Sequence, residues 1–341
     1  MINKILMATI NYDHPQRGME GAMSFIFGAK NVFHYDYLTE QKLGAKKGLI
    51  NSMMLEVAKR LQPDWVWLHL QDSEVIEAPT LLELRRLFPK AVLTHWTGDV
   101  RNSVSPYLSS ICKAAHLTLI SSVGQIPMFK EAGASDVQYC QVAVDWDEDV
   151  RGMVGAPPRW AVPDVIFMGS YYPAGVAGSL FPGTVDRIKM VNLLMKTLGR
   201  KFGVVGRGWP PGTPVLGHCN VKEQYHIWKR AKVGINVNHY NDIEGYYSDR
   251  QLIAMVSGTP LVCKYIPGLE REFENGKHCL WYKELDELPV LVQKLLDDPD
   301  LRARIGTAGR LEVMRNHTWL ARLIDLIPVV EGIQAGLKER P

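Results

Sequence analysis

Short apolar runs rich in Val, Ile and Leu recur along this chain, and segments whose apolar residues follow the helical period separate most of them. A run of about four to eight such residues predicts a buried strand, and its alternation with helices is typical of βαβ units in a parallel sheet. Eleven runs predict strands: 4–9, 31–37, 64–70, 91–97, 116–121, 137–144, 164–169, 201–205, 232–237, 260–265 and 279–282. The pattern predicts an α/β protein built from doubly wound parallel sheets.

The pattern stops between residues 145 and 163, where glycine and proline accumulate, and then starts again. Such a break is typical of a connection between domains, and 341 residues suffice for two domains of about 100 to 200 residues each. We predict Rossmann-like domains over 1–158 and 159–320, followed by a helical segment over 321–341 that can pack back on the first domain. A ligand is then expected between the domains, beyond the carboxyl ends of the strands.

Composition excludes few classes of protein. A net charge of +3 with scattered basic residues does not indicate nucleic-acid binding, although a local basic face is not excluded. No run reaches the roughly 18 apolar residues of a membrane span, and the N-terminus lacks signal-peptide features, so a cytoplasmic protein is expected. The five cysteines include no C-x-x-C pair, so neither a disulfide framework nor a thiolate metal site is indicated.

The stretch from 236 to 262 carries the strongest functional signal. A predicted strand ends near Asn238, a polar loop follows, and Ser248, Asp249 and Arg250 begin an apolar helix. The unpaired N–H groups of a helix N-terminus, together with a hydroxyl and a guanidinium, form a site for a phosphate or diphosphate. In the alternative interpretation Ser248 or Asp249 only caps the helix, and the two roles are compatible.

The same stretch and the segments after it resemble a known family. The motifs that carry the resemblance are S-D-R-x-x-x-A-M-x-S-G-T-P-L-V, I-P-G-L-E-R-E-F-E-N-G-K-H-C-L-W-Y, D-E-L-P-V-L-V-Q-K-L-L-D-D-P-D-L-R-A-R-I-G-T-A-G-R and N-H-T-W-L-A-R-L. In order and spacing they resemble the C-terminal domain of GT-B glycosyltransferases. They are most similar to the CgeB-like spore-maturation branch, which is related to the group 1 glycosyl transferases. The resemblance runs from about 164 to 323, whereas the N-terminal half resembles the family only in its βαβ rhythm and its W-T-G-D-V-R segment.

The resemblance implies two Rossmann-like domains that face a central cleft. The C-terminal domain would hold a nucleotide-sugar donor, with Ser248 and Arg250 on its diphosphate, and the N-terminal domain would hold the acceptor. Where many group 1 enzymes carry a Glu for the donor ribose, this chain has Ile253, which cannot accept hydrogen bonds from hydroxyls. Glu244 or Asp249 can substitute, and the identity of the donor stays open.

Further candidate donor residues follow other predicted strands. Glycines there let the backbone approach a ligand, while Arg207 and Trp209 offer a guanidinium to phosphate and a ring to a base. In the alternative interpretation the glycines only form turns and Trp209 only packs its loop. The complete candidate donor site is Gly18, Gly169, Arg207, Gly208, Trp209, Asn238, Glu244, Ser248, Asp249 and Arg250.

The segment T-H-W-T-G-D-V-R, residues 94–101, places ionisable groups at the end of a strand in the N-terminal domain. A carboxylate there can act as general base on an acceptor hydroxyl, and we assign this role to Asp99. His95 is the rival because its ordinary pKa lies near neutrality, and strand alternation puts it on the same side as Asp99 if the strand extends that far. Asp72 in L-Q-D-S-E is a third candidate, and a structural cap is the alternative role for Asp99.

No metal or cofactor is expected. The letters D-x-D occur at Asp145-Trp146-Asp147, but this triplet falls at the predicted domain junction rather than at a convincing strand end. A helix terminus with Arg250 and Arg207 can neutralise a diphosphate leaving group, so metal-independent catalysis is predicted.

These interpretations predict a glycosyltransferase, hexosyl or related, that uses a nucleotide sugar, expected to be a UDP-sugar. The acceptor stays open among a surface glycan, a protein, a small molecule and a hydroxylated DNA base. A nucleotide-sugar 2-epimerase of the same fold and a non-catalytic nucleotide-sugar-binding protein are the alternatives. The sequence indicates neither the stereochemistry of transfer nor the oligomeric state.

Overall fold

The computed structural model of the protein describes residues 2–10, 17–145, 158, 160–172 and 181–339. The chain forms two compact units, which we call the N-terminal unit (Met1–Val142 with Trp319–Pro341) and the C-terminal unit (Ala143–Thr318). Most of the predicted interdomain connection lies outside the described residues, as do the D-x-D triplet after its first residue and residues 11–16, which precede the predicted donor residue Gly18.

A parallel sheet of six strands forms the centre of the N-terminal unit, in the order β2-β1-β3-β4-β5-β6. The strands are β1 Ile5–Ala8, β2 Val32–Tyr35, β3 Trp65–Leu68, β4 Val92–Thr97, β5 Leu117–Ile120 and β6 Val137–Tyr139. Four of them, β1, β3, β4 and β5, are buried along their whole length. Strands buried on both faces are mostly apolar, which explains the near-continuous apolar runs in the sequence.

Helices connect these strands. They are α1 Arg17–Phe27, α2 Tyr37–Lys42, α3 Lys47–Leu61, α4 Ala78–Leu87, α5 Pro106–Ala114 and α6 Ile126–Glu131. The start of α5 shows how the local sequence determines a boundary. Pro106 occupies the first turn, where no amide donor is needed, and Oγ of Ser105 accepts from the N–H of Leu108 at 3.1 Å.

The C-terminal unit contains a second parallel sheet of six strands, in the order β12-β11-β10-β7-β8-β9. Its strands are β7 Val165–Met168, β8 Phe202–Val205, β9 Val215–Gly217, β10 Val233–Asn236, β11 Leu261–Lys264 and β12 Leu280–Tyr282. Counted from β7, this is the 3-2-1-4-5-6 order of a Rossmann sheet, whose direction of winding reverses between β7 and β10. Ligands of such sheets bind beyond the carboxyl ends of the two strands at that reversal.

The helices of the C-terminal unit are α7 Gly183–Leu198, α8 Val221–Arg230, α9 Asp249–Val256, α10 Glu287–Asp297 and α11 Pro299–Asn316. Helix α10 shows how they cover the sheet. Its buried residues Leu288, Val292 and Leu295 are spaced by four and then three positions, so they lie on one face and pack into the core that includes Val262 of β11. Next to it, Oδ1 of Asp298 caps α11 by accepting from the N–H of Leu301 at 2.8 Å.

The last helix, α12 Trp319–Lys338, belongs to the N-terminal unit, where it contacts α1 and β4. The ring of Trp319 meets Trp96 edge to face, with 5.0 Å between the ring centroids. The two helix-covered parallel sheets confirm the predicted α/β, doubly wound fold class. Of the helices in the described ranges, none combines the length and apolar character needed to cross a bilayer.

Candidate functional site

The N-terminus of α9 follows the carboxyl end of β10, as the sequence predicts. Ser248 directly precedes α9, and its N–H donates to Oδ1 of Asn238 at 2.9 Å. The side chain of Ser248 does not cap the helix, and its Oγ is buried without a hydrogen-bond partner among the described residues. Asp249 is exposed, and its Oδ1 accepts from the N–H of Arg250. The Ser248 hydroxyl is therefore available to a ligand.

Three buried amide side chains join the end of β10 to the first turn of α9. Nδ2 of Asn236 donates to Oε1 of Gln251 at 3.1 Å and lies 3.4 Å from Oδ1 of Asn238. Asn238 and Gln251 are 1% and 0% exposed, yet Nδ2 of Asn238 and Nε2 of Gln251 find no partner in the described part of the chain. An unpaired buried donor is costly, and its presence beside Ser248 is typical of a site that a ligand or water completes.

A buried arginine at the same edge of the sheet is absent from the sequence-based site. Arg187 of α7 is 1% exposed; its Nε donates to the carbonyl of Val237 and its Nη1 to the carbonyl of Ser170, both at 2.9 Å. Because Val237 follows β10 and Ser170 follows β7, the guanidinium spans the reversal point of the sheet. Burial and then the charge of Arg250 lower the pKa of Arg187 to about 9, which leaves it cationic at neutral pH.

His239 and Arg250 complete this cationic cluster. Nε2 of His239 lies 2.6 Å from Nη1 of Arg187, and burial, followed by the charges of Arg187 and Arg250, lowers the pKa of His239 to about 3. The imidazole is therefore neutral and accepts from Arg187 through Nε2. No ion pair joins Arg250 or Arg187 to a carboxylate within the described ranges. Two arginines without counter-charges beside a helix N-terminus form a site for an anion.

The sequence contained a signal for Arg187. It precedes Met190, Val191 and Leu194 by three, four and seven residues, so it lies on the apolar face of α7. Arginine is rarely buried on such a face unless partners satisfy it. A cation in register with a predicted apolar stripe is therefore a reason to look for a site.

The loops after β7 and β8 bring four other predicted donor residues together. Nε1 of Trp209 donates to the carbonyl of Gly169 at 2.9 Å, and its ring meets Phe167 edge to face at 5.9 Å, so Trp209 packs its loop. Gly208 has a φ of 78°, and a Cβ there would collide with a neighbouring carbonyl. The Arg207 side chain is exposed. The loop after β8 therefore exposes the Arg207 guanidinium, while the backbone at Gly208 and the ring of Trp209 pack against neighbouring residues.

Ile253 and the two carboxylates considered for the donor ribose, Glu244 and Asp249, lie in different surroundings. Ile253 is a buried residue of α9, 4% exposed, and its apolar side chain cannot form a hydrogen bond with a ribose hydroxyl. The carboxylate of Glu244 is 42% exposed and lies 2.6 Å from Nη2 of Arg271 in an ion pair. A ribose contact by Glu244 would have to compete with Arg271, whereas Asp249 at the start of α9 is exposed.

Gly183 at the start of α7 provides a test of how tightly this edge is packed. Its N–H donates to the carbonyl of His239 at 2.7 Å, and a Cβ would collide with the backbone of Asn238 and His239. We expect Gly183→Ala to lower the free energy of unfolding in urea by about 1 to 3 kcal/mol. Gly332→Ala in α12, where a Cβ meets nothing within 4 Å, should leave stability equal or higher. Equal stability of both variants would contradict this packing.

In the N-terminal unit the structure separates the two proposed bases. Strand β4 ends at Thr97, so Asp99 lies beyond the strand, in a loop, and is exposed. The strand alternation that would pair His95 with Asp99 does not extend that far. His95 is fully buried, both ring nitrogens lack partners among the described residues, and burial lowers its pKa to about 3. A base role for His95 conflicts with this burial and with its low basicity.

The third candidate, Asp72, belongs to a polar network after β3. Its Oδ2 lies 2.5 Å from Nη1 of Arg101, whose Nη2 donates to Oε1 of Gln71 at 2.7 Å and to Oγ1 of Thr97 at 2.8 Å. Gln71 and Glu74 have φ values of 49° and 56°, a conformation that costs free energy for residues with a Cβ and is often found at functional sites. The Asp72 carboxylate is thus paired with a cation, while Asp99 lies on the adjacent loop.

The remaining predicted residue, Gly18, lies in the first turn of α1, directly after residues 11–16, which the structure does not describe. No group of three or more His, Cys, Asp or Glu side chains that could hold a metal ion occurs among the residues described. Metal independence stays a prediction.

The two buried histidines of the N-terminal unit predict a loss of stability in acid. Burial lowers the pKa of both His69 and His95 from 6.5 to about 3. Below about pH 6.5 these histidines therefore bind protons in the unfolded chain but stay neutral in the folded chain. Stability should fall by roughly 1.4 kcal/mol per pH unit for each histidine between about pH 6 and pH 3. Urea unfolding at pH 7, 6 and 5 gives the free energy of unfolding as a function of pH. In His95→Gln this free energy should fall less steeply with decreasing pH than in the wild type, by about that amount per pH unit, and an unchanged pH dependence would contradict the lowered pKa of His95.

The chain is similar to a family of known sequences and to several solved structures. Residues 187–327 match a family described as glycosyl transferase-like. HepE of Anabaena, solved with UDP and glucose, is 11% identical over 97% of this chain and 100% of HepE, with a TM-score of 0.61. Sucrose-phosphate synthase of Thermosynechococcus elongatus is 11% identical over 98% of this chain and 100% of the synthase, with a TM-score of 0.61. A glycosyltransferase of Rickettsia africae is 14% identical over 97% and 98% of the two chains, with a TM-score of 0.61. No curated protein sequence matches the chain.

The two Rossmann-like sheets, shared with these structures over nearly the whole chain, define a protein of the GT-B fold. The glycosyl transferase-like match begins at Arg187 and includes the whole of α9, so it covers the cationic cluster described above.

Proposed function

We propose that this protein is a glycosyltransferase that takes a sugar from a nucleotide-sugar donor, expected to be a UDP-sugar. The observation that carries the proposal is the buried guanidinium of Arg187, fixed by two carbonyl oxygens at the reversal point of a Rossmann sheet, with Arg250 nearby and without a carboxylate partner in the described residues. Such a site lacks an anion of its own. The glycosyl transferase-like match over 187–327 supports a nucleotide sugar as that anion, as do two HepE structures, one in complex with UDP and glucose and one in complex with UDP-glucose.

The diphosphate would lie at the N-terminus of α9. Its oxygens would accept hydrogen bonds from the Ser248 hydroxyl and from the Arg250 guanidinium, beside the positive end of the α9 dipole. When the sugar leaves, negative charge develops on the diphosphate, and fixed donors and cations stabilise it without reorganisation. This supports metal-independent transfer.

We further propose that the N-terminal unit provides the acceptor surface and that Asp99 is the base, if transfer inverts the sugar. The exposure of Asp99 favours it over the fully buried His95, whose pKa burial lowers to about 3. Membership of the CgeB-like branch and transfer of a hexose are part of the proposal and rest on the sequence motifs.

A thermal-shift and calorimetric series with UDP, ADP, GDP and inorganic phosphate tests the donor. UDP should raise the melting temperature most, and no response to any nucleoside diphosphate would contradict a donor site. Incubation of the bound UDP-sugar without an acceptor then separates the alternatives. Conversion of the sugar to its 2-epimer would identify an epimerase. A transferase should leave the sugar unepimerised and should release it only by hydrolysis until an acceptor hydroxyl is added.

A further inference from the structure

A buried Tyr–Glu–His cluster in the C-terminal unit lies next to the proposed donor site but outside it. Oη of Tyr247 donates to Oε2 of Glu272 at 2.5 Å and lies 3.4 Å from Nδ1 of His317. The same Nδ1 lies 3.3 Å from Oε2 of Glu272. Tyr247 and His317 are 1% and 2% exposed. The three polar groups therefore meet inside the unit, from segments that are far apart in the sequence.

Each member of the cluster comes from a different element. Tyr247 directly precedes Ser248 and α9, Glu272 lies in the segment between β11 and β12, and His317 follows the C-terminus of α11. The start of α9 is thus fixed from two sides. Ser248 is attached to Asn238 after β10, and Tyr247 is attached to the Glu272–His317 pair.

Apolar packing alone does not require these polar groups. The ring of Phe273 stacks on His317 with 4.6 Å between centroids and meets Tyr247 edge to face at 5.7 Å. A phenylalanine at position 247 would keep the ring contact. Placing a buried hydroxyl and a buried imidazole against a carboxylate whose side chain is only 15% exposed carries a desolvation cost, which the hydrogen bonds among these groups offset.

We infer that Tyr247, Glu272 and His317 are positioning residues that hold the N-terminus of α9 in the orientation that binds the donor diphosphate. This inference rests on the proposed function. The Tyr247 hydroxyl fixes the residue directly before Ser248, so its loss lets the Ser248 hydroxyl and the Arg250 guanidinium turn away from a common point. Displacements of this size weaken fixed donors because hydrogen bonds depend steeply on distance and angle.

The test is a double-mutant cycle with Tyr247→Phe and Arg250→Ala, read by calorimetric titration with UDP. Tyr247→Phe should weaken UDP binding about tenfold in the wild-type background and by less than threefold in the Arg250→Ala background, because a displaced helix start cannot misplace an arginine that is absent. Equal losses in both backgrounds, or no loss in the wild-type background, would overturn the inference.

Tyr265→Phe is the matched control. Oη of Tyr265 donates to Oε2 of Glu270 at 2.9 Å. This is also a tyrosine–glutamate hydrogen bond, and its glutamate lies in the same β11–β12 segment as Glu272, but the bond is on the exposed surface. UDP affinity of this variant should equal that of the wild type, and an equal loss in both tyrosine variants would overturn the inference. If Tyr247→Phe does not fold, Glu272→Gln enters the same cycle with the same expectation.

The cycle also separates this inference from the proposed function. If Arg250→Ala alone leaves UDP affinity unchanged, the proposed donor site is wrong. If Arg250→Ala weakens binding and Tyr247→Phe does not, the donor site stands and only the positioning role is wrong.

Discussion

Replacing Arg250 by alanine is expected to weaken UDP binding about tenfold to a hundredfold, because it removes a charge-assisted hydrogen bond worth roughly 1.5 to 3 kcal/mol. Arg250 suits this test better than Arg187. Arg187 is buried and bonded to two backbone carbonyls, so its removal would disturb the folded unit as well as the ligand. Arg250 lies in the first turn of α9 and has no ion pair with the described residues, so its loss should mainly weaken the binding of an anion.

Calorimetric titration of the folded variant measures this change, and Arg304→Ala on the exposed surface of α11 is the control. The control removes the same charge from the same unit and should bind UDP like the wild type. If both variants lose affinity alike, the effect is one of overall charge. If neither does, the donor binds elsewhere.

Replacing Asp99 by asparagine should lower the rate of transfer by about a hundredfold to ten-thousandfold while donor affinity stays unchanged. Asparagine keeps the size of the side chain and much of its hydrogen bonding but cannot take a proton. Because Asp99 lies in an exposed loop beyond β4, its substitution should leave the folded unit intact. Initial rates and UDP affinity measured on the same preparation test both halves of the expectation.

Asp72→Asn distinguishes the two carboxylates. Asp72 pairs with Arg101 and accepts from Oγ of Ser105, so the loss of its charge should lower the stability of the N-terminal unit. If Asp72→Asn abolishes transfer and Asp99→Asn retains near-normal turnover, the base is Asp72. If donor hydrolysis persists in Asp99→Asn while transfer to an acceptor stops, Asp99 positions the acceptor.

Local sequence was enough to predict most of the strands, because a strand buried on both faces is apolar at most of its positions. Strand β9, Val215–Gly217, was not predicted, because it has three residues, follows a proline- and glycine-rich turn and ends on glycine. Edge strands need less burial, so their sequences carry a weaker signal. Strand β4 was predicted to its last residue, and because it ends at Thr97 the alternation that would align His95 with Asp99 does not reach Asp99.

The sequence by itself determined the fold class and the start of α9 at Ser248, Asp249 and Arg250, because apolar periods and helix starts are properties of neighbouring residues. Only the tertiary structure decided that Arg187 reaches the carbonyls of Val237 and Ser170, 50 and 17 residues away, and that His95 is buried while Asp99 is exposed. Burial and long-range contacts depend on how the strands order themselves in a sheet. They set the charge and accessibility of a side chain, and therefore its chemistry.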